Sequence, residues 1–205
     1  MSNEPLKNKF NIILKRIFDI FFSILFLLFF WWLYLLITIA IKVSNRGPVI
    51  FKQKRRGKEG HFFYCYKFRT MEHTIDEPID ITLVNDRRVF FVGKFLRRYN
   101  FDELPQFFNV LKGEMSLVGP RPFMLVESDK LLENIENYKM RYEIFPGITG
   151  YAAIKGYRGG TEDINLMKER IDLDLYYIKN WSIFLDIKIC CLTIIETFVG
   201  RTRGH

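Results

Sequence analysis

The sequence predicts an α+β protein, mainly helical, that is held on a membrane by its N-terminal helix. Three observations carry this reading. Residues 20–41 form 22 consecutive positions without a charge, residues 61–71 are rich in aromatic side chains with the partial alternation of a strand, and most later segments place apolar residues at helical spacing. The 205 residues are 49% hydrophobic and 26% charged, too apolar for a disordered chain and too charged for a polytopic membrane protein.

Charge is unevenly placed. The formal net charge is +8, from 31 Lys and Arg against 23 Asp and Glu. Residues 1–58 hold eleven of the basic residues against only Glu4 and Asp19, and the remaining 147 residues carry 20 basic and 21 acidic. A nucleic-acid reader spreads cations over its binding face, whereas this excess brackets the apolar stretch and points to an anionic membrane surface.

As a helix at about 1.5 Å per residue the stretch reaches roughly 33 Å, enough for a single crossing. Basic residues on both flanks and Trp31, Trp32 and Tyr34 at its centre fit a segment that dips into the bilayer and returns. No Pro or Gly within residues 21–41 supplies the bend, so both topologies stand. Asp19 lies four and three residues after Lys15 and Arg16, which predicts an intrahelical ion pair at the interface.

Gly47-Pro48 ends this helix. Residues 49–51 and 61–71 are expected to pair as a small hairpin around a turn at Arg55-Arg56-Gly57, and residues 72–88 to form a polar loop. Residues 89–98 read as a helix or turn. Residues 102–112 read as a helix on Leu104, Phe107, Phe108 and Leu111, stopped by Gly113. Residues 127–142 are expected as a helix ended by Pro146-Gly147. Residues 161–179 follow as another, with Leu166, Ile171, Leu175 and Ile178 inward. Residues 182–199, charged only at Asp186, Lys188 and Glu196, suit an amphipathic helix lying at the interface. Cys65, Cys190 and Cys191 have no metal-ligand spacing and are expected to be reduced thiols.

Asn100-Phe101-Asp102-Glu103-Leu104-Pro105-Gln106 is the strongest local feature. Pro105 belongs in a helix's first turn, which puts Asp102 at a helix start. There Asp102 can be an ordinary cap, or a nucleophilic carboxylate beside a second carboxylate, Glu103, able to hold a divalent cation against a diphosphate. Arg121, fixed between Pro120 and Pro122, is suited to gripping a phosphate, and Arg97 and Lys67 are further candidate phosphate ligands.

Lys15-Arg16 with Asp19, Gly47-Pro48-Val49-Ile50-Phe51, Tyr66-Lys67-Phe68-Arg69-Thr70-Met71, Asp102-Glu103-Leu104-Pro105-Gln106, Asn109-Val110-Leu111-Lys112-Gly113, Met115-Ser116-Leu117-Val118-Gly119-Pro120-Arg121-Pro122 and Pro146-Gly147-Ile148-Thr149-Gly150 run in order along nearly the whole chain. Together they resemble the bacterial sugar transferases, the monotopic polyprenyl-phosphate phosphoglycosyl transferases. The resemblance implies transfer of a sugar 1-phosphate from a UDP-sugar to undecaprenyl phosphate, with release of UMP. Asp102 would be the nucleophile forming a covalent phosphosugar intermediate, Glu103 with Asp102 would bind Mg²⁺, and Lys67, Arg97, Arg121 and Asp174 would line the phosphate and nucleotide site. It also implies a re-entrant helix broken at a Ser-Pro pair, where this chain has Trp31-Trp32.

The stretch from Gly156 to Thr161, with Arg158 as a further substrate contact, resembles the hexose-1-phosphate branch that starts exopolysaccharide, capsule or O-antigen repeats. Members of that branch often carry additional N-terminal membrane helices, and this chain resembles their catalytic core. The expected division is a membrane-anchoring segment, residues 1–46, and a membrane-associated catalytic domain, residues 47–205, on the cytoplasmic face of a bacterial inner membrane. Membrane lipids and a further copy of the chain are possible partners; nucleic acid is not. Two other classes stand beside it: a membrane-bound glycosyltransferase that releases UDP, and a non-catalytic anchored interaction module.

Overall fold

The computed structural model describes residues 4–72, 86–125, 135, 137–157 and 163–199. Helix α1, Lys9–Ser44, starts where the Asn8 side chain accepts from the Phe10 amide at 2.9 Å. Its inward stripe follows helical spacing: Lys15, Asp19 and Ser23 are buried in the first half, Ile37 and Ile41 in the second. Between the halves Phe30 leaves helical geometry (φ −111°, ψ 17°), so the chain bends one residue before Trp31-Trp32 without a proline. Phe26 stacks on Phe30 at 4.8 Å and on Phe107 at 4.1 Å, and the Tyr34 hydroxyl donates to the Leu104 carbonyl at 2.6 Å. Both halves therefore lie against the same body of protein, while Phe21, Leu28, Phe29, Trp31 and Leu36 face outward.

The expected pairing of Asp19 with Lys15 and Arg16 is replaced by contacts to other elements. Asp19 Oδ1 accepts from the Ser116 hydroxyl and the Leu117 amide, both at 3.0 Å. Lys15 pairs with Asp186 at 2.7 Å, and Arg16 donates to the Val110 and Leu111 carbonyls. Burial is the reason: these side chains face protein rather than an aqueous interface, and each takes the partner opposite it.

Strands β1 (Ile50–Arg56) and β2 (Phe62–Phe68) pair antiparallel, with Phe51 opposite Lys67. β1 continues through Arg55 and Arg56, and the turn lies at residues 57–61 rather than at Arg55-Arg56-Gly57. Alternation puts Phe63, Cys65 and Lys67 on the inner face and Phe62, Tyr64 and Tyr66 on the outer one. Residues 73–85 of the expected polar loop lie outside the described residues.

Helix α2 (Phe91–Arg98) crosses the end of β2 so closely that a Cβ at Gly93 would fall 2.1 Å from the Thr70 carbonyl oxygen. The expected helix over residues 102–112 is divided: Phe101–Glu103 is a 3-10 turn, and α3 runs Gln106–Lys112 with Gly113 as its left-handed C-cap. Strands β3 (Ser116–Val118) and β4 (Gly147–Thr149) pair in parallel. Of the helix expected over residues 127–142, 127–134 and 136 lie outside the described residues, and Tyr138–Glu143 is a 3-10 helix.

A short helix α4 (Tyr151–Ile154), then α5 (Ile164–Lys179) and α6 (Ile183–Val199), complete the chain. In α5 the inward positions are Met167, Ile171, Asp174, Leu175 and Ile178, and Leu166 is exposed. The core lies where α3, β3 and β2 meet α5 and α6, around Val110, Met115, Val118, Tyr138, Tyr177 and Ile189. α6 buries Asp186 and Ile189 and exposes Phe184, Ile187, Ile194, Ile195 and Phe198, an amphipathic division of its surface.

Candidate active site

Asn100 adopts a left-handed conformation (φ 56°), which an asparagine tolerates and most residues do not, and this turns the chain from α2 into the 3-10 turn. Asp102 and Glu103 on that turn are 4% and 3% exposed. Asp102 does not cap α3: Pro105 holds the cap position, and no side-chain cap bond is made there. Its Oδ1 is buried without a hydrogen-bond partner. A helix start lowers a carboxyl pKa, but here burial dominates and raises it, against the pull of Lys67, Arg97 and Arg121.

Glu103 is instead gripped. Arg121 reaches both of its oxygens, at 2.7 and 3.1 Å, and Lys67 reaches Oε1 at 3.0 Å. Lys67 comes from the inner face of β2, held in register by Asn109, which accepts from the Tyr66 amide at 3.0 Å and donates to the Tyr64 carbonyl at 2.7 Å. Arg97 comes from α2 and donates to the Thr70 hydroxyl at 2.9 Å. The close Gly93 approach is what brings that helix within reach.

Arg121 is held through its main chain. The carbonyls of Pro120, Arg121 and Pro122 accept from the Gly147 amide at 3.0 Å, Arg141 at 2.8 Å and Arg55 at 2.7 Å. Gly119 lies against β4, where a Cβ would meet the Phe145 carbonyl oxygen at 2.5 Å. Arg141, absent from the sequence-derived set, also pairs with Asp174 at 2.9 Å and lies over Phe123, 4.5 Å from the ring centroid.

The structure thus gathers Lys67, Arg97, Asp102, Glu103 and Arg121, and sets Asp174 one residue further back, behind Arg141. Asp174 still lines a small pocket with Arg121, Thr149, Gly150, Tyr157 and Arg170. Arg158 lies outside the described residues. Arg141 could have been found only by the pairing of a buried carboxylate with a cation 33 residues away, which no local pattern encodes.

The family resemblance implies Mg²⁺. Two adjacent carboxylates, one with an unpartnered buried oxygen, are hard oxygen donors that suit it. Among the described residues no three Asp, Glu, His or Cys side chains cluster for a metal, so substrate phosphate and water would supply the rest of its shell.

The profile of the family described as "Bacterial sugar transferase" matches residues 10–200. The chain is 45% identical over 197 residues to the UDP-glucose:undecaprenyl-phosphate glucose-1-phosphate transferase of Klebsiella pneumoniae, covering 95% of this chain and 42% of that protein. It is 40% identical to the exopolysaccharide production protein PSS of Rhizobium leguminosarum bv. phaseoli, over 95% of this chain and 98% of that one. To the UDP-N-acetylgalactosamine-undecaprenyl-phosphate N-acetylgalactosaminephosphotransferase of Aeromonas hydrophila it is 40% identical, over 91% and 44%. The chain spans about two fifths of the length of the first of these relatives. With the ordered motifs and the matched span of residues 10–200, the chain belongs to the bacterial sugar transferase family.

Proposed function

We propose that this protein transfers hexose 1-phosphate from a UDP-sugar to undecaprenyl phosphate at the cytoplasmic face of a bacterial inner membrane, as the first membrane step of a surface polysaccharide. The observation that carries the reading is Asp102: a buried carboxylate with an unpartnered oxygen, among three cations, and beside a carboxylate that two of them, Lys67 and Arg121, already hold. Unlike Glu103, it is left free to react.

The Asp102 carboxylate attacks the sugar-bearing phosphorus of the UDP-sugar. A P–O bond to Asp102 forms, the P–O bond to the bridging oxygen breaks, and UMP leaves. A phosphate oxygen of undecaprenyl phosphate then attacks the same phosphorus and displaces Asp102, giving the diphosphate-linked sugar. Lys67, Arg97 and Arg121 stabilise the charge on the transferring phosphoryl group, which is most of what such a reaction asks of a protein. Bound Mg²⁺, held by Asp102 and Glu103, would neutralise charge on the diphosphate.

α1 is read here as re-entrant. Its two halves rest on one protein body and its basic flanks then share one leaflet, the hairpin between α1 and the site standing at that surface. The exposed apolar face of α6 is read as lying in the interface beside it.

Incubation with UDP-glucose, undecaprenyl phosphate and Mg²⁺ should release UMP. Asp102→Asn should abolish turnover and the phosphosugar adduct seen by mass spectrometry, with a Tm no lower than wild type, because burial disfavours the carboxylate it removes. Release of UDP would establish the glycosyltransferase alternative instead, and full activity in Asp102→Asn would remove Asp102 from the mechanism.

A further inference from the structure

The outer face of the β1–β2 hairpin takes no part in the site just described. Along β1, Lys52, Lys54 and Arg56 alternate on that face, and their cross-strand partners in β2 are Tyr66, Tyr64 and Phe62. Each cation sits on a ring: Lys52 lies 5.8 Å from the centre of Tyr66, Lys54 4.6 Å and Arg56 5.0 Å from that of Phe62. Lys112 joins them from α3, 4.5 Å from the centre of the Tyr66 ring and bonded to its hydroxyl. Among the described residues, Lys52, Lys54 and Lys112 have no carboxylate ion-pair partner.

This face is continuous with the membrane helix. The Tyr34 ring, within the apolar stretch, meets Phe108 edge-on at 5.9 Å, and Phe108 is 46% exposed. Lys112 stands one turn along α3 from Phe108. Arg16, four residues before the apolar stretch begins, donates to the carbonyls of Val110 and Leu111 just before Lys112. An unbroken strip thus runs from lipid-depth aromatics through Lys112 and Tyr66 to Lys52 and Lys54. Its polarity changes as a bilayer's does, from apolar to aromatic to cationic.

We propose that the outer face of the hairpin, together with Lys112, is a platform for anionic phospholipid headgroups, whose phosphate oxygens the lysines contact while the rings beneath hold them extended. The proposal rests on α1 being a membrane element. It places on this face a contact with the bilayer additional to that of α1, made without the catalytic residues.

The test uses the full chain in nanodiscs of phosphatidylcholine alone or of phosphatidylcholine with phosphatidylglycerol, treated with a water-soluble amine-acetylating reagent and read by mass spectrometry. Acetylation of Lys52, Lys54 and Lys112 should slow by about fivefold in the anionic discs, a screening-sensitive effect of local charge, and recover in high salt. Lys168 and Lys179 on α5 should react equally in both. Equal rates at the hairpin in the two discs would overturn the proposal, as would equal protection in both, which signals steric cover rather than charge. Protection in detergent that grows with protein concentration would assign the face to a second copy and overturn it too. Failure of the chain to enter either disc would instead sink the membrane reading of α1, and the platform with it.

Discussion

Asp102 and Glu103 are neighbours in the chain with opposite surroundings. One has an oxygen without a partner, and the other is shared by Lys67 and Arg121. Local sequence names both as acids at a turn; only the converging strands decide which is held and which is free. Arg141 shows the same dependence at one remove. It joins Asp174 to the Arg121 carbonyl, so it is a positioning residue for the guanidinium that grips Glu103. Arg141→Gln should lower kcat/KM for the UDP-sugar about tenfold or more while leaving KM for the lipid acceptor unchanged, with partial rescue by Arg141→Lys. Unchanged kcat/KM would overturn the positioning role. Burial already raises the Asp174 pKa against the pull of Arg141, and without Arg141 it rises further. A carboxyl with a raised folded-state pKa weakens the fold fully above that pKa, and the loss fades as pH falls from there to the unfolded value, so the stability deficit of Arg141→Gln should be largest near pH 8 and shrink as the pH is lowered toward 5. Tm measured across that range checks the sign.

At the scale of elements, periodicity made the hairpin, α5 and α6 legible, because each has one face that must be buried and a repeat that says which, while residues 89–98, open between helix and turn in the sequence, form α2. It failed where a residue's partner is distant. The bend in α1 is the clearest case: no Pro or Gly marks it, and the geometry breaks at Phe30, where Phe26 and Phe107 stack and Tyr34 binds the Leu104 carbonyl. The helix expected over residues 102–112 begins one turn later in the structure, because the left-handed Asn100 and the 3-10 turn after it have no strong local signal. If α1 returns to the side it entered from, single cysteines replacing Lys7 and Arg46, in a Cys190→Ser, Cys191→Ser background, should be labelled by an impermeant maleimide from the same face of sealed vesicles. Labelling from opposite faces would establish a crossing.

For the whole molecule, one buried knot ties α1 to the site. Asp186 accepts from Lys15 at 2.7 Å, Tyr177 at 2.7 Å and Trp181 at 3.1 Å, and Lys15 also donates to the Val118 carbonyl at 2.9 Å, three residues before Arg121. Removing one charge strands the other, so Lys15→Met alone should destabilise by about 3–5 kcal/mol, and adding Asp186→Asn, whose amide oxygen can still accept from Trp181, should recover part of it. Denaturant unfolding in detergent measures both, and equal losses in the single and double variants would show that the pair is not the source.

The basic excess before residue 59 is legible in the sequence and points to an anionic surface. The structure divides it: Lys15, Arg16 and Arg55 turn inward to bind protein, and Lys52, Lys54 and Arg56 stay on the outer hairpin. By itself the sequence determined the apolar helix, the hairpin, the helical repeats and the residue types of the site, since these depend on composition and short-range spacing. Only the tertiary structure decided where α1 bends, which carboxylate is free, and that Arg141 stands behind Arg121. Those depend on groups far apart in the chain meeting where water is excluded, where each buried charge must find partners or keep, like Asp102, an oxygen without one.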